Sequence, residues 1–304
     1  MTSVIRDDIR LVALGDSVTA GMGDPVPGRG WAGLLAEALG AGGPVALTNL
    51  AVRGACSADL ASEQLPRALP LRPSVTTILI GVNDTLRGRF VPTAIARDLE
   101  QAIAGLTGAG SIVVTATLPD PGLLLRVPDA FRRPLARRVH LINGIVTGLA
   151  GRHDTVHLDL ARHPALYDPR MWSMDRLHPS ERGHRLLARL AAERLRLRGL
   201  PVRLPGLEPG APEPPAWRSA LRVTAGGAAW LTRRCFDFLP AFAVLVVKEL
   251  WRPQGVDGEF AAPHPSGQPA VADGWDERPY EGRHRDRIVP APGERGHQLR
   301  LPRP

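Results

Sequence analysis

The sequence is poor in lysine, cysteine and aromatic residues. Lys248 is its one lysine, Cys56 and Cys235 are its two cysteines, and Phe, Trp and Tyr make up 5% of 304 residues. The net charge of +8 is therefore carried almost wholly by arginine. Arginines spread singly among acids form a solvated surface, and no basic stripe with interleaved aromatics is present, which argues against a nucleic-acid partner. Two cysteines far apart in sequence make no disulfide framework and fit a reducing, cytoplasmic setting. The first ten residues carry Arg6, Asp7, Asp8 and Arg10 and lack the apolar core of a secretory signal. No stretch reaches the roughly 18 apolar residues that span a membrane. A hydrophobic content of 44% supports a core, which Leu, Val and Ala must fill.

What is present is an alternation of short apolar runs with helical periodicity from Ile9 to about His184, the signature of βαβ units. The strands are expected at Leu11–Leu14, Val45–Leu50, Val75–Ile80, Ile112–Ala116 and Val156–Leu158. Helices are expected near Trp31–Leu39, Ser57–Leu65, Thr93–Leu106 and Leu135–Leu149. A last helix should follow Pro179, with Ser180 as N-cap and Leu186, Leu187 and Leu190 on its buried side. The fold class is α/β: a three-layer α/β/α sandwich around a parallel sheet of about five strands, spanning residues 1–199.

Beyond it the composition changes. More than half of the 30 prolines fall after residue 200. Residues 200–304 read as a largely irregular Pro/Arg-rich extension, with 201–215 a linker and 255–304 a disordered tail. Within it, 225–251 concentrates apolar residues, among them Trp230, Phe236, Phe242 and Trp251. That segment suits either a helical pair packed on a protein surface or a peripheral membrane contact through Arg233, Arg234 and Lys248.

Chemistry enters where the first strand ends, in Gly15-Asp16-Ser17. A buried parallel strand delivers such a serine to the carboxyl edge of the sheet, where open α/β folds keep their sites. Three later features converge on the same edge. Gly54, just past the second strand, lets a backbone N–H approach a ligand closely. Asn83, after the third strand, can offer its amide to a developing oxyanion. Asp175-Arg176-Leu177-His178 places a carboxylate three residues before a histidine, close enough to hold one imidazole nitrogen while the other faces the serine. Each taken alone has an ordinary reading, as a turn glycine, an Asx-turn and surface polar groups.

In this order the four blocks resemble the SGNH/GDSL hydrolase family, over roughly Leu11 to Leu190; Val18 stands where many members carry leucine. The resemblance implies Ser17 as nucleophile, His178 as general base and Asp175 as its orienting partner. It also implies an oxyanion hole made by the Ser17 N–H, the Gly54 N–H and the Asn83 amide. The expected activity is hydrolysis of small-molecule carboxylic esters through an acyl-serine, with no metal or organic cofactor. The alternative is a catalytically silent module of the same fold that binds a membrane or protein through its extension.

Asp16 and Asp84 are expected to brace their loops. Leu123, Leu124 and Leu125 suit an apolar wall, and 19–30 suits a mobile rim beside Ser17. His153, His157 and His163 lack the spacing of a metal site. His184 reads as a surface or packing residue, and Cys56 as a buried thiol or a pocket lining.

Overall fold

The computed structural model describes residues 9–125, 129–173 and 175–210. In chain order these form β1 (Ile9–Gly15), α1 (Gly30–Leu39), β2 (Val45–Asn49) and a composite helical stretch over 57–71, then β3 (Val75–Leu79), α2 (Val82–Leu86) and α3 (Pro92–Gly108). There follow β4 (Ile112–Ala116), α4 (Pro121–Leu125), α5 (Asp129–Arg152), β5 (Val156–Leu158) and α6 (Glu181–Leu197). The five strands pair in parallel in the order β2-β1-β3-β4-β5. The apolar run of β1 is sealed on both sides, by β2 from Ile9↔Val45 and by β3 from Leu11↔Val75. Every residue of β3 is buried, as expected of a central parallel strand covered on both faces.

Helices α1 and α6 pack against each other on one face, and the composite stretch, α3 and α5 on the other. Helix α6 begins where the sequence placed its cap: the Ser180 hydroxyl accepts from the Gly183 N–H. Its buried side carries His184, Leu187, Ala188, Ala191 and Leu195, at the i, i+3, i+4, i+7 spacing of one helical face. Fully burying a leucine contributes about 1.5–3 kcal/mol, so this face is ample to dock the helix.

The stretch over 57–71 departs from the single helix expected there. An α-turn (Ser57–Asp59) passes into a π-helix (Leu60–Gln64), a second α-turn (Leu65–Ala68) and a 3-10 turn (Leu69–Leu71). Pro66 and Pro70 cannot donate to the ladder, which limits regular α structure to short pieces. The site uses one product of this geometry, the inward-facing Gln64.

The segment 201–210, which composition assigns to a linker, is laid along the domain instead. Leu200, Val202, Leu204 and Leu207 pack on the core. The Arg203 N–H donates to the Ala38 carbonyl at 2.9 Å, and the Gly210 N–H to Glu181 Oε1 at 2.9 Å. Alternating apolar residues, not composition, was the signal. The apolar segment 225–251 lies outside the described residues. Among the described residues no helix is long and apolar enough to cross a membrane.

Gly183 supplies a test of how tightly α6 seats. A Cβ there would stand 2.1 Å from the Met171 carbonyl oxygen and 2.8 Å from Pro179 Cβ. Glycine to alanine in a helix ordinarily stabilises by about 1 kcal/mol. Here the collision reverses the sign, and Gly183→Ala should cost about 1–3 kcal/mol. Chemical denaturation checks it; a variant as stable as the parent would mean that the loop over 171–180 yields freely.

Candidate active site

Strand β1 ends on Gly15, whose φ of 147° lies in a region that glycine favours. A Cβ at this position would stand 2.3 Å from the Leu79 carbonyl oxygen of the neighbouring strand. The backbone of Gly15 is gripped at both polar atoms by one buried side chain: its N–H donates to Gln64 Oε1 at 2.8 Å, and its carbonyl accepts from Gln64 Nε2 at 2.9 Å. The next residue, Asp16, is buried and turns the chain by accepting the Val18 N–H at 3.0 Å. Ser17 is thereby held, half-buried, at the carboxyl edge of the sheet.

The loop before α6 supplies the partners. Trp172 and Pro179 form an isolated antiparallel bridge, and the Ser173 N–H donates to the His178 carbonyl at 2.8 Å. Between them Asp175 Oδ1 accepts the backbone N–H groups of Leu177 and His178 at 3.0 and 3.1 Å. Its second oxygen, Oδ2, lies 2.6 Å from His178 Nδ1. His178 Nε2 lies 3.0 Å from Ser17 Oγ. The turn closes through Arg176 in the left-handed region, φ 51°, a conformation that costs a non-glycine residue about 1–3 kcal/mol. Burial alone would raise the Asp175 pKa, but the bonds from His178 and from two backbone N–H groups hold it below the ordinary range. Asp175 is therefore a carboxylate at neutral pH, and the ion-pairing it offers matches an imidazole that gains a proton.

Asn83 sits in the first turn of α2, directly after Gly81, whose φ of 124° and contact with Ile142 leave no room for a side chain. Its amide donates to the Ala55 carbonyl at 3.0 Å and reaches Asp16 Oδ2 at 3.3 Å. The chain segment after β2 that carries Gly54, φ 80°, is thus tied through Ala55 to Asn83, and through Asn83 to Asp16. Asp84 braces the same segment by accepting both the N–H and the hydroxyl of Ser57, and burial raises its pKa. Cys56 is a half-buried free thiol with Arg87 Nε 3.4 Å from its sulfur, and burial pushes its pKa up.

A small apolar cleft of about 60 Å³ is lined by Asp16 and Val18, which flank Ser17 in sequence, and by Leu118, Leu124, Leu166 and Trp172. Of the leucines expected to form a wall, Leu124 does so, from helix α4, while Leu123 is exposed at 48%. Among the described residues no three His, Cys, Asp or Glu side chains are grouped to hold a metal ion.

The rim over 19–30 is pinned more firmly than its glycines and prolines imply. Asn49 Nδ2 donates to the Thr19 carbonyl, and Arg29 pairs with both Asp24 and Glu181. A Cβ on Gly23 would lie 2.0 Å from the Pro179 carbonyl oxygen, so the rim is seated against the His178 loop. The strongest tie is His184, which is fully buried rather than on the surface. Its Nδ1 stands 3.1 Å from the Trp31 N–H donor and its Nε2 2.9 Å from the Met22 carbonyl. Those partners require the neutral ring, protonated on Nε2.

Burial likewise holds the His184 pKa below the ordinary imidazole range. An unfolded histidine takes its proton near pH 6.5, whereas the folded ring refuses it. Stability should therefore be full above that pH and fall as the pH drops below it, by about 1.4 kcal/mol per unit for one such group. His157 and His163, both depressed by burial, add in the same direction. Urea denaturation at pH 7.5 and 5.5 measures the slope. His184→Gln should flatten it, and an unchanged slope would assign the acid sensitivity elsewhere.

The model of the GDSL-like lipase/acylhydrolase family matches residues 13–186. A GDSL-like esterase of Mycobacterium tuberculosis is 29% identical over 200 residues, 60% of this chain and 60% of that protein. The chain thus spans about 60% of the length of that curated relative. Among solved structures, the esterase EstA from a Pseudoalteromonas species, inhibited by monoethylphosphonate, aligns with 63% of this chain and 98% of its own at 19% identity and a TM-score of 0.50. Axe2, an acetylxylan esterase from Geobacillus stearothermophilus, aligns with 62% and 94% at 19% identity and a TM-score of 0.50. These two likenesses establish the fold.

Proposed function

We propose, for a chain that belongs to the GDSL-like lipase/acylhydrolase family, that it hydrolyses carboxylic esters of small molecules through an acyl-serine intermediate. The observation that carries this reading is the unbroken line Asp175 Oδ2, His178 Nδ1, His178 Nε2, Ser17 Oγ, with contacts of 2.6 and 3.0 Å. A serine hydroxyl is a weak nucleophile until a base takes its proton, and His178 is within reach to do so. Ser17 Oγ attacks the ester carbonyl carbon while its proton passes to His178 Nε2. Collapse of the tetrahedral intermediate expels the alcohol, which receives that proton, and leaves the acyl group on Ser17. Water then attacks the acyl-serine by the same route, releasing the acid and restoring the hydroxyl.

The negative charge that develops on the carbonyl oxygen would be met by the N–H groups of Ser17 and Gly54 and by the Asn83 amide. The long 3.3 Å contact of that amide with Asp16 is the one an oxyanion would replace. Fixed donors of this kind act without reorganising solvent; loss of one typically costs about 2.7–4 kcal/mol of barrier. The apolar cleft beside Ser17 suits an acyl or alkyl group, and no step calls for a metal.

The test is covalent labelling by a fluorophosphonate together with hydrolysis of p-nitrophenyl esters of increasing chain length. Labelling of Ser17, mapped by peptide mass, and turnover of at least one ester are expected. A protein that is neither labelled nor active would overturn the reading in favour of a silent binding module.

A further inference from the structure

We infer that Arg176 is a specificity-determining residue that selects esters carrying an anionic group, a carboxylate or a phosphate, a few atoms from the scissile bond. The inference deepens the ester-hydrolase reading and rests on it. Arg176 lies between Asp175 and His178 and lines the cleft beside Ser17, whose other walls are almost wholly apolar. Its backbone N–H is spent on the Ser173 carbonyl at 2.9 Å. The residue is half-buried, and its guanidinium has no hydrogen bond or ion pair among the described residues. The two nearest carboxylates in sequence and site are already occupied. Asp175 serves His178 and two backbone N–H groups, and Asp16 serves Val18 and Asn83. Arg176 thus brings five side-chain N–H donors to the lining of an apolar cleft, with no acceptor for them among the described residues. A ligand anion is the chemistry that satisfies them, by a charge-assisted and preferably bidentate contact.

The backbone sharpens the point. Arg176 holds φ 51°, which glycine adopts without steric cost, so the turn itself has no need of this side chain. The competing role is that its aliphatic stem completes the apolar wall while the head stays in water. The two roles differ in whether methionine, which keeps a flexible apolar stem without charge, can replace arginine.

Binding is measured by isothermal titration on a Ser17→Ala background, where no turnover interferes. Two matched pairs are used: butyl hydrogen glutarate against its neutral methyl ester, with the anion on the acyl side, and butyryl glycerol phosphate against monobutyrin, with the anion on the alcohol side. The anionic member of at least one pair should bind about tenfold or more tightly than its neutral partner, as expected of a hydrogen bond to a charged group. Arg176→Met should erase that preference and Arg176→Lys should keep most of it. The pair that shows the effect identifies which side of the ester carries the anion. Equal binding within both pairs, or a preference that survives Arg176→Met, would overturn the inference. Hydrolysis of the same esters by protein with Ser17 intact separates the two readings: a binding preference without turnover would sink the hydrolase and leave the anion site standing.

Discussion

Ser17→Ala should lower kcat on the best p-nitrophenyl ester by about 10⁴-fold or more, and His178→Ala by a similar factor, while the double variant is scarcely worse than either. The reason is geometric. On the proposed reading Ser17 Oγ and His178 Nε2, 3.0 Å apart, would act as one unit, in which a hydroxyl without its base and a base without its hydroxyl are equally inert. Ser17→Ala opens no large void, since the side chain is half-buried and small, whereas His178 is buried, so the melting temperature of His178→Ala is measured beside its activity. KM should change far less than kcat, because the apolar cleft that would hold the acyl group is untouched. Losses that multiply in the double variant would show two independent contributions and contradict a shared proton transfer. Activity that survives Ser17→Ala would move the nucleophile elsewhere.

The second large effect belongs to Asp175→Asn, expected to reduce kcat by about 10⁴-fold with the fold retained. An asparagine can still accept the Leu177 and His178 N–H groups through its oxygen, so the turn persists. Its amide, however, would donate to His178 Nδ1 where the carboxylate accepts. The imidazole proton would then sit on Nε2 and face Ser17 as a donor, the wrong tautomer for a base. An unchanged melting temperature beside the lost activity separates this from unfolding. A loss below about tenfold, far under the effect of such a tautomer switch, would mean that another group orients His178.

Much of this architecture was legible before any coordinates. The five strands fall within one or two residues of their apolar runs, most plainly β3 and β4, because buried parallel strands leave a nearly continuous apolar run. Ser17, Asp175 and His178 stand out because a serine just past a strand and a carboxylate three residues before a histidine form a recognisable pattern, and the structure brings the three side chains together; Asn83 meets the segment that carries Gly54 through Ala55. Other features were hidden for physical reasons. Helices α2 and α4 are five residues each, too short for a period to show. Gln64 has no motif, and its role exists only because a π-turn aims it at Gly15. His184 was detectable, since it shares the apolar face of α6 with Leu187, Ala188 and Ala191. A histidine on such a face reads as an anomaly until its two backbone partners are seen. The segment 201–210 reads as a linker because proline and glycine content speaks for irregular backbone, yet an irregular backbone can still dock, as Val202, Leu204 and Leu207 do.

One property of the serine–histidine contact reaches into how the molecule matures. Asp175 and His178 meet within a single turn, but His178 and Ser17 are 161 residues apart. His178 and Asp175 can find each other locally at small entropic cost, whereas Ser17, made early in synthesis, meets His178 only once the loop before α6 has folded back on the sheet. During synthesis the serine is therefore a bystander until residues near 200 have emerged and α6 has settled on α1. Recovery of fluorophosphonate labelling during refolding would accordingly trail the return of helical circular dichroism, marking the final consolidation of the domain and not its collapse.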